Sequence, residues 1–371
     1  RGDSGWPCFD YNKLAFMLNW VTIINFHMKV EKILAGKIKS GDLISIVSPS
    51  SGLAPFAMHR IEQAKKALET LGFKVKFEPN ALKNGGYVSG SIEERVQDLH
   101  LAFADKDVKA IICTIGGNHS NQLLKFLDWK LIKKNPKIFL GYSDITVLHH
   151  AIYKKTGLVT FYGPSVLPEF GEFPQLNKYN EEYFKKALVE GEIGKIADSE
   201  EWTDDFLDWF KKEDVKKQRS YRKNKGFEWW RKGKAAAEIF GGTPASINHL
   251  AGTEYWNDFK GKVLFLDLPE GRKPGEGISM SDLDTNLADL YNLDVFKAIK
   301  GLVIGRSYGQ SEENLKKIKE LIEAYTKGAK YPILYGVDIG HTTPMITLPL
   351  GVKVLLDSEK NLFEVKETFI K

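Results

Sequence analysis

The chain has 371 residues, 43% of them apolar and 27% charged, with a net charge of +5. These proportions belong to a globular protein long enough for two domains of ordinary size. Much of the positive charge is local to residues 211–234, which argues against a nucleic-acid partner. The only cysteines, Cys8 and Cys113, exclude a disulfide framework and a cysteine-rich zinc site.

Residues 1–27 do not share the patterning of the rest of the chain. Their apolar stretch, 14–26, is too short and too interrupted to span a membrane. It carries no basic n-region and no small-residue cleavage site. The segment is read as a non-native leader, with Met28 as the expected natural start. No membrane partner is expected, and a cytoplasmic location is the default.

Leu43–Val47 is a β-branched run that ends at Ser48-Pro49-Ser50-Ser51-Gly52. The spacing of Ile61, Ala64, Leu68 and Leu71 predicts a helix over 58–71. Residues 73–77 alternate as a strand, and 92–104 read as a helix. Residues 110–115 form a buried-type strand closed by Gly116-Gly117. Residues 120–127 read as a helix, 138–140 as a strand and 145–153 as a helix again. This alternation predicts a parallel sheet with helices on both faces. Ligands bind beyond the carboxyl ends of such strands. The turns 48–52, 116–121 and 141–144 should therefore converge on one crevice.

Beyond residue 170 the pattern changes. A charged, Trp-rich stretch carries Trp202 and Trp209, then Trp229 and Trp230. The expected organisation is an N-terminal α/β domain over 28–175, a Trp-rich linker or insert over 176–240, and a C-terminal mixed α/β domain over 241–371. Strands are predicted at 263–266, 302–304, 333–335 and 352–356.

Three strand ends carry chemistry. Ser143 follows Ile138-Phe139-Leu140-Gly141-Tyr142 on a turn into a helix. That geometry exposes a hydroxyl beside unpaired N–H groups. The bland alternative is that Ser143 only caps the helix. Val263-Leu264-Phe265-Leu266 delivers Asp267, with Glu270 three residues on. Ile333-Leu334-Tyr335 leads into Asp338-Ile339-Gly340-His341. Ser, acid and His in this chain order are the parts of an acyl-transfer triad. His119, His149, His150 and His249 show no metal-ligand spacing, so no metal is expected.

At these residues the chain resembles the serine LD-carboxypeptidase family, which includes the microcin C immunity peptidases. The resemblance rests on IVSPSSGL (46–53), TIGGNHSNQLL (114–124), GYSDIT (141–146), TFYGPS (160–165), GKVLFLD (261–267) and PILYGVDIGHTTPMITLPLG (332–351). The Trp-rich stretch is more similar to the immunity branch. The resemblance implies an active site in the cleft between the two domains, without a cofactor. It makes Ser143 the nucleophile, His341 the base, and the amides of Asp144 and Gly117 the oxyanion hole. Where the family carries Glu, this chain has Asp267; Glu270 is the alternative acid. Thr243-Pro244 departs from the family's Asn-Leu.

Gly116, Asn118, Ser120 and Asn121 are candidates to bind a substrate carboxylate. The seven-residue spacing of Trp202 and Trp209 places them on one helix face. They are either a satellite core or a stacking surface for a nucleobase. The implied activity is cleavage of an amide in a peptidyl or aminoacyl nucleotide, giving self-immunity or detoxification. Release of a terminal D-amino acid from a muropeptide is one alternative, and a non-catalytic binding protein is another. The substrate is a small peptide or nucleotide-peptide, and a homodimer is a possible assembly.

Overall fold

The computed structural model describes residues 31–371. The expected leader, 1–27, lies outside the described residues. Residues 32–371 form one compact unit built on two sheets.

The first sheet holds β1 (Leu43–Val47), β2 (Lys74–Phe77), β3 (Val108–Cys113), β4 (Ile138–Gly141) and β5 (Phe161–Tyr162). All five run parallel, in the order β5-β4-β3-β1-β2. β3 and β4 are buried almost throughout, which is why they read as continuous apolar runs. A short ribbon comes next, β6 (Glu201–Trp202) paired with β7 (Arg222–Lys223).

The second sheet begins with β8 (Glu228–Arg231) and β9 (Lys234–Gly242). It continues with β10 (Val263–Leu266), β11 (Gly301–Gly305) and β12 (Ile333–Val337). β13 (Leu348–Pro349) returns to the first sheet beside β5. β14 (Lys353–Asp357) and β15 (Leu362–Val365) complete the second. Its order is β15-β14-β9-β10-β11-β12-β8, with β9 to β12 parallel and the outer strands antiparallel. The fold is thus the expected two-part α/β architecture, a parallel sheet followed by a mixed one. The sheets cut across the expected segment boundaries in two places. β8 and most of β9 fall within 176–240 yet belong to the second sheet. β13 falls within 241–371 yet belongs to the first.

Local sequence explains the helices. Ser91 and Glu94 form a reciprocal capping box that starts the helix Ile92–Ala104. The helix Thr146–Thr156 is buried along nearly its whole length and stops at Gly157, which is left-handed at φ 82°. The predicted helix over 120–127 is only a 3-10 turn, Ser120–Leu123. The Ser120 hydroxyl and N–H are both engaged by Asp144, which holds the start of that segment in place.

The turns at the carboxyl ends of β1, β3 and β4 do converge. Ser50 Oγ donates to Asp144 Oδ2 at 2.6 Å, and the Ser51 N–H donates to the Gly116 carbonyl at 3.1 Å. The sheets meet where Thr146, at the start of its helix, faces Gly242 at the end of β9. Thr146 Oγ1 accepts from the Thr243 N–H at 3.3 Å. A Cβ on Gly242, which sits at φ 143°, would run into the Thr146 side chain. Gly242→Ala should therefore cost about 2–4 kcal/mol of stability from strain plus overpacking. Gly252→Ala, at φ 73° with open space around it, should cost about 1 kcal/mol. Thermal denaturation of both variants checks this; equal midpoints would contradict the close approach of the sheets.

Candidate active site

Ser143 sits directly beyond β4, at the first position of the 3-10 turn Ser143–Ile145. Its φ of +64° is a left-handed conformation that a non-glycine residue adopts at a cost of order 1–3 kcal/mol. The side chain stays partly exposed while its neighbours Tyr142 and Asp144 are buried. The strand enters, the chain turns sharply, and the helix Thr146–Thr156 leaves. Ser143 is not a helix N-cap through its side chain, since no such bond forms.

His341 lies in the loop after β12 and Asp267 at the end of β10. The His341 ring bridges the other two residues. Its Nε2 is 3.2 Å from Ser143 Oγ, and its Nδ1 is 3.0 Å from Asp267 Oδ1 and 2.9 Å from Oδ2. When the ring is neutral and its Nδ1–H donates a hydrogen bond to Asp267, Nε2 is the acceptor for the hydroxyl. Asp267 is fully buried and also accepts from the Tyr162 hydroxyl at 2.6 Å. Its short side chain reaches His341 because the loop comes very close. A Cβ on Gly340, at φ 100°, would overlap the Asp267 carboxylate. Glu270, the alternative acid, is exposed in the cleft wall, and no hydrogen bond joins it to His341.

Burial alone would lower the His341 pKa. The charge and hydrogen bond of Asp267 outweigh it, with Glu270 and Glu169 adding to the effect, and push the value up to about 9. Glu169 is itself buried and rises to about 7, mainly by desolvation. Its oxygens accept from the Tyr142 hydroxyl at 3.0 Å and the Ser165 N–H at 2.8 Å.

The Gly116-Gly117 turn packs against the serine. A Cβ on Gly116 would stand 2.9 Å from Ser143 Oγ, so the backbone approaches only because none is present. Asp144 is locked beside it: Oδ2 accepts from Ser50 Oγ, the His119 N–H at 2.9 Å and the Ser120 N–H at 3.0 Å. Burial raises the Asp144 pKa against these bonds.

These groups open on a cleft of about 470 Å³, within the range of small-molecule sites. Ser143, His341, Glu270, Gly116, Gly117 and Asn118 line it, together with Trp209, Phe206, Phe210 and Arg219. Three of the expected substrate-binding residues are not among its lining. Ser120 is buried and spends its polar groups on Asp144. Asn121 is exposed outside the cleft. Trp202 lies on the β6–β7 ribbon with Arg222 and Arg306 over its ring, at 4.0 and 4.8 Å. Nor do Trp202 and Trp209 share a helix. Thr203 bridges Thr343 instead, and Asp208 caps a turn at Phe210 and Lys211. Trp209 alone reaches the cleft, with the Arg60 guanidinium 4.4 Å from its ring centre.

Sequence reasoning missed Tyr162, Glu169, Arg60 and Arg219. Arg60 is buried and pairs with Asp214 at 2.6 Å; Arg219 pairs with Glu172 and bonds Thr343 Oγ1 at 2.9 Å. These are contacts between distant segments, with no local spacing to reveal them. Among the described residues, no three His, Cys, Asp or Glu side chains are grouped as a metal site. No helix among them is long and apolar enough to cross a membrane.

The chain is similar to known proteins along most of its length. Residues 44–163 match the LD-carboxypeptidase N-terminal domain and 236–356 the LD-carboxypeptidase C-terminal domain. A putative carboxypeptidase of Bacillus subtilis, YocD, is 39% identical over 85% of this chain and 94% of its own length. The microcin C7 self-immunity protein of Escherichia coli is 32% identical over 91% of this chain and 97% of its own. A solved structure of the microcin C7 self-immunity protein in complex with aspartyl sulfamoyl adenosine superposes with a TM-score of 0.84 at 31% identity, covering 91% of this chain and all of that one. The chain belongs to the LD-carboxypeptidase family of peptidases.

Proposed function

We propose that the chain is a serine peptidase that cleaves an amide bond in an aminoacyl or peptidyl nucleotide. The observation that carries the reading is the Ser143–His341–Asp267 relay, at 3.2 and 3.0 Å, on a serine with φ +64°. Ser143 Oγ attacks the carbonyl carbon while His341 Nε2 takes its proton. The backbone N–H groups of Asp144 and Gly117 receive the oxyanion. His341 then protonates the leaving amine, and water releases the acyl group. Asp267 holds the imidazole and stabilises the imidazolium that forms.

Two things support a nucleotide in the leaving part. The cleft offers Trp209 beside Phe206 and Phe210, aromatic surface suited to a flat base. A similar protein was solved with aspartyl sulfamoyl adenosine. The cations Arg219, Arg272 and Lys273 in the same cleft favour a second reading, in which a free carboxylate of a muropeptide tail docks there.

Turnover of aspartyl sulfamoyl adenosine, followed by chromatography, should fall by at least about 10³-fold in Ser143→Ala. Undiminished turnover would sink the serine mechanism. Trp209→Ala should raise KM for that substrate by roughly tenfold, the worth of about 1–3 kcal/mol of stacking. It should leave a muropeptide substrate unaffected, and an unchanged nucleotide KM would remove the stacking role.

The base must be neutral to accept a proton, and His341 titrates near 9. With wild-type protein, kcat/KM should therefore rise with pH through neutrality and level off only in the alkaline range. Glu270 helps hold the imidazolium, so Glu270→Gln should move the midpoint down. A profile already flat from pH 6.5 to 9 would contradict the raised value.

A further inference from the structure

Tyr162 closes a ring of hydrogen bonds around the site. Starting at Ser143 Oγ, the chain of contacts runs to His341 Nε2 at 3.2 Å, then from His341 Nδ1 to Asp267 Oδ1 at 3.0 Å. From Asp267 Oδ2 it continues to the Tyr162 hydroxyl at 2.6 Å, which donates. The same hydroxyl accepts from the Ser143 backbone N–H at 3.1 Å. One phenol thus touches the acid with its proton and the serine backbone with its lone pair.

Both contacts fall where the structure needs support. Asp267 is fully buried, so both of its oxygens need donors, and the single Nδ1 proton of His341 cannot satisfy the two alone. Ser143 holds a left-handed φ that its own backbone does not favour. Tyr162 is fixed in turn: it is completely buried, its backbone pairs with Gly141 and Leu348, and Phe265 packs edge-on at 5.0 Å. It sits on β5, next to β4, which delivers Ser143, and reaches across to the end of β10 in the other sheet.

We propose that Tyr162 is a positioning residue of this site, aligning Asp267 with His341 and pinning the strained Ser143 backbone through a single hydroxyl. This rests on the serine-peptidase reading above. Tyr162 is buried outside the cleft lining and acts through Asp267 and the Ser143 backbone.

The groups facing His341 are Asp267 and Glu270 from the loop after β10, Glu169 from the turn Val166–Phe170, and Tyr142 at 5.0 Å between ring centres. Of these, Asp267 is the one whose charge Tyr162 disperses. Losing that donor leaves the carboxylate charge to the imidazole alone, so the His341 midpoint moves up. A stronger donor moves it down.

The test uses the full chain and aspartyl sulfamoyl adenosine, with Ser143→Ala as control. Tyr162→Phe should lower kcat by at least tenfold, leave KM within about threefold, and shift the pH midpoint of kcat/KM upward. In an Asp267→Asn background, which removes the charged acceptor, the same change should cost less than about threefold. Replacing Tyr162 alone by 3-fluorotyrosine keeps the shape and strengthens the donor; the midpoint should then shift downward. This variant also serves if Tyr162→Phe does not fold. Unchanged kcat and midpoint in Tyr162→Phe, or no shift with fluorotyrosine, would overturn the proposal. Turnover persisting in Ser143→Ala would instead overturn the serine reading on which it rests.

Discussion

One imidazole must touch two partners delivered by different strands, and the rest of the structure serves that requirement. His341 comes from the loop after β12, Asp267 from the end of β10, and Ser143 from the turn after β4. Two of these elements belong to one sheet and the third to the other. A hydrogen bond tolerates only a few tenths of an ångström, so the two sheets must be held in fixed relation. The contact of Thr146 with Gly242 and Thr243 does this beside the serine. The return of β13 to pair with β5 does it again from the other side.

The electrostatics arise from the same crowding. Asp267, Glu270 and Glu169 surround His341, and their combined effect exceeds the cost of burying an imidazolium. An imidazolium at His341 is thereby stabilised, and the ring is readily protonated at neutral pH. Arg219 lowers Glu169 against its burial and so keeps that carboxylate charged beside the ring. The neutral ring is favoured only on the alkaline side.

The parallel sheet, the positions of the strands that bear the site and the residues Ser143, Asp267 and His341 were legible because strand, turn and helix repeat with clear punctuation. The choice between Asp267 and Glu270 stayed open in the sequence; it is Asp267 that lies within hydrogen-bond reach of His341 Nδ1. Legibility failed where tertiary contacts override local spacing. Trp202 and Trp209 are seven apart, yet the Thr203–Thr343 bridge makes that segment extended, and two guanidinium groups cover Trp202. Ser120 looked available for a ligand but is consumed by Asp144. Tyr162 lies within the TFYGPS stretch, with nothing there to single it out. Its role depends on a residue 105 positions away, which no local pattern encodes.

The central claim is that His341 activates Ser143. The most direct measurement is the rate of covalent labelling by a fluorophosphonate, read by intact mass and peptide mapping across a pH series. A single adduct on Ser143, forming faster as pH rises and lost in His341→Ala, is the predicted result. Labelling elsewhere, or labelling of Ser143 at an undiminished rate without His341, would contradict the claim.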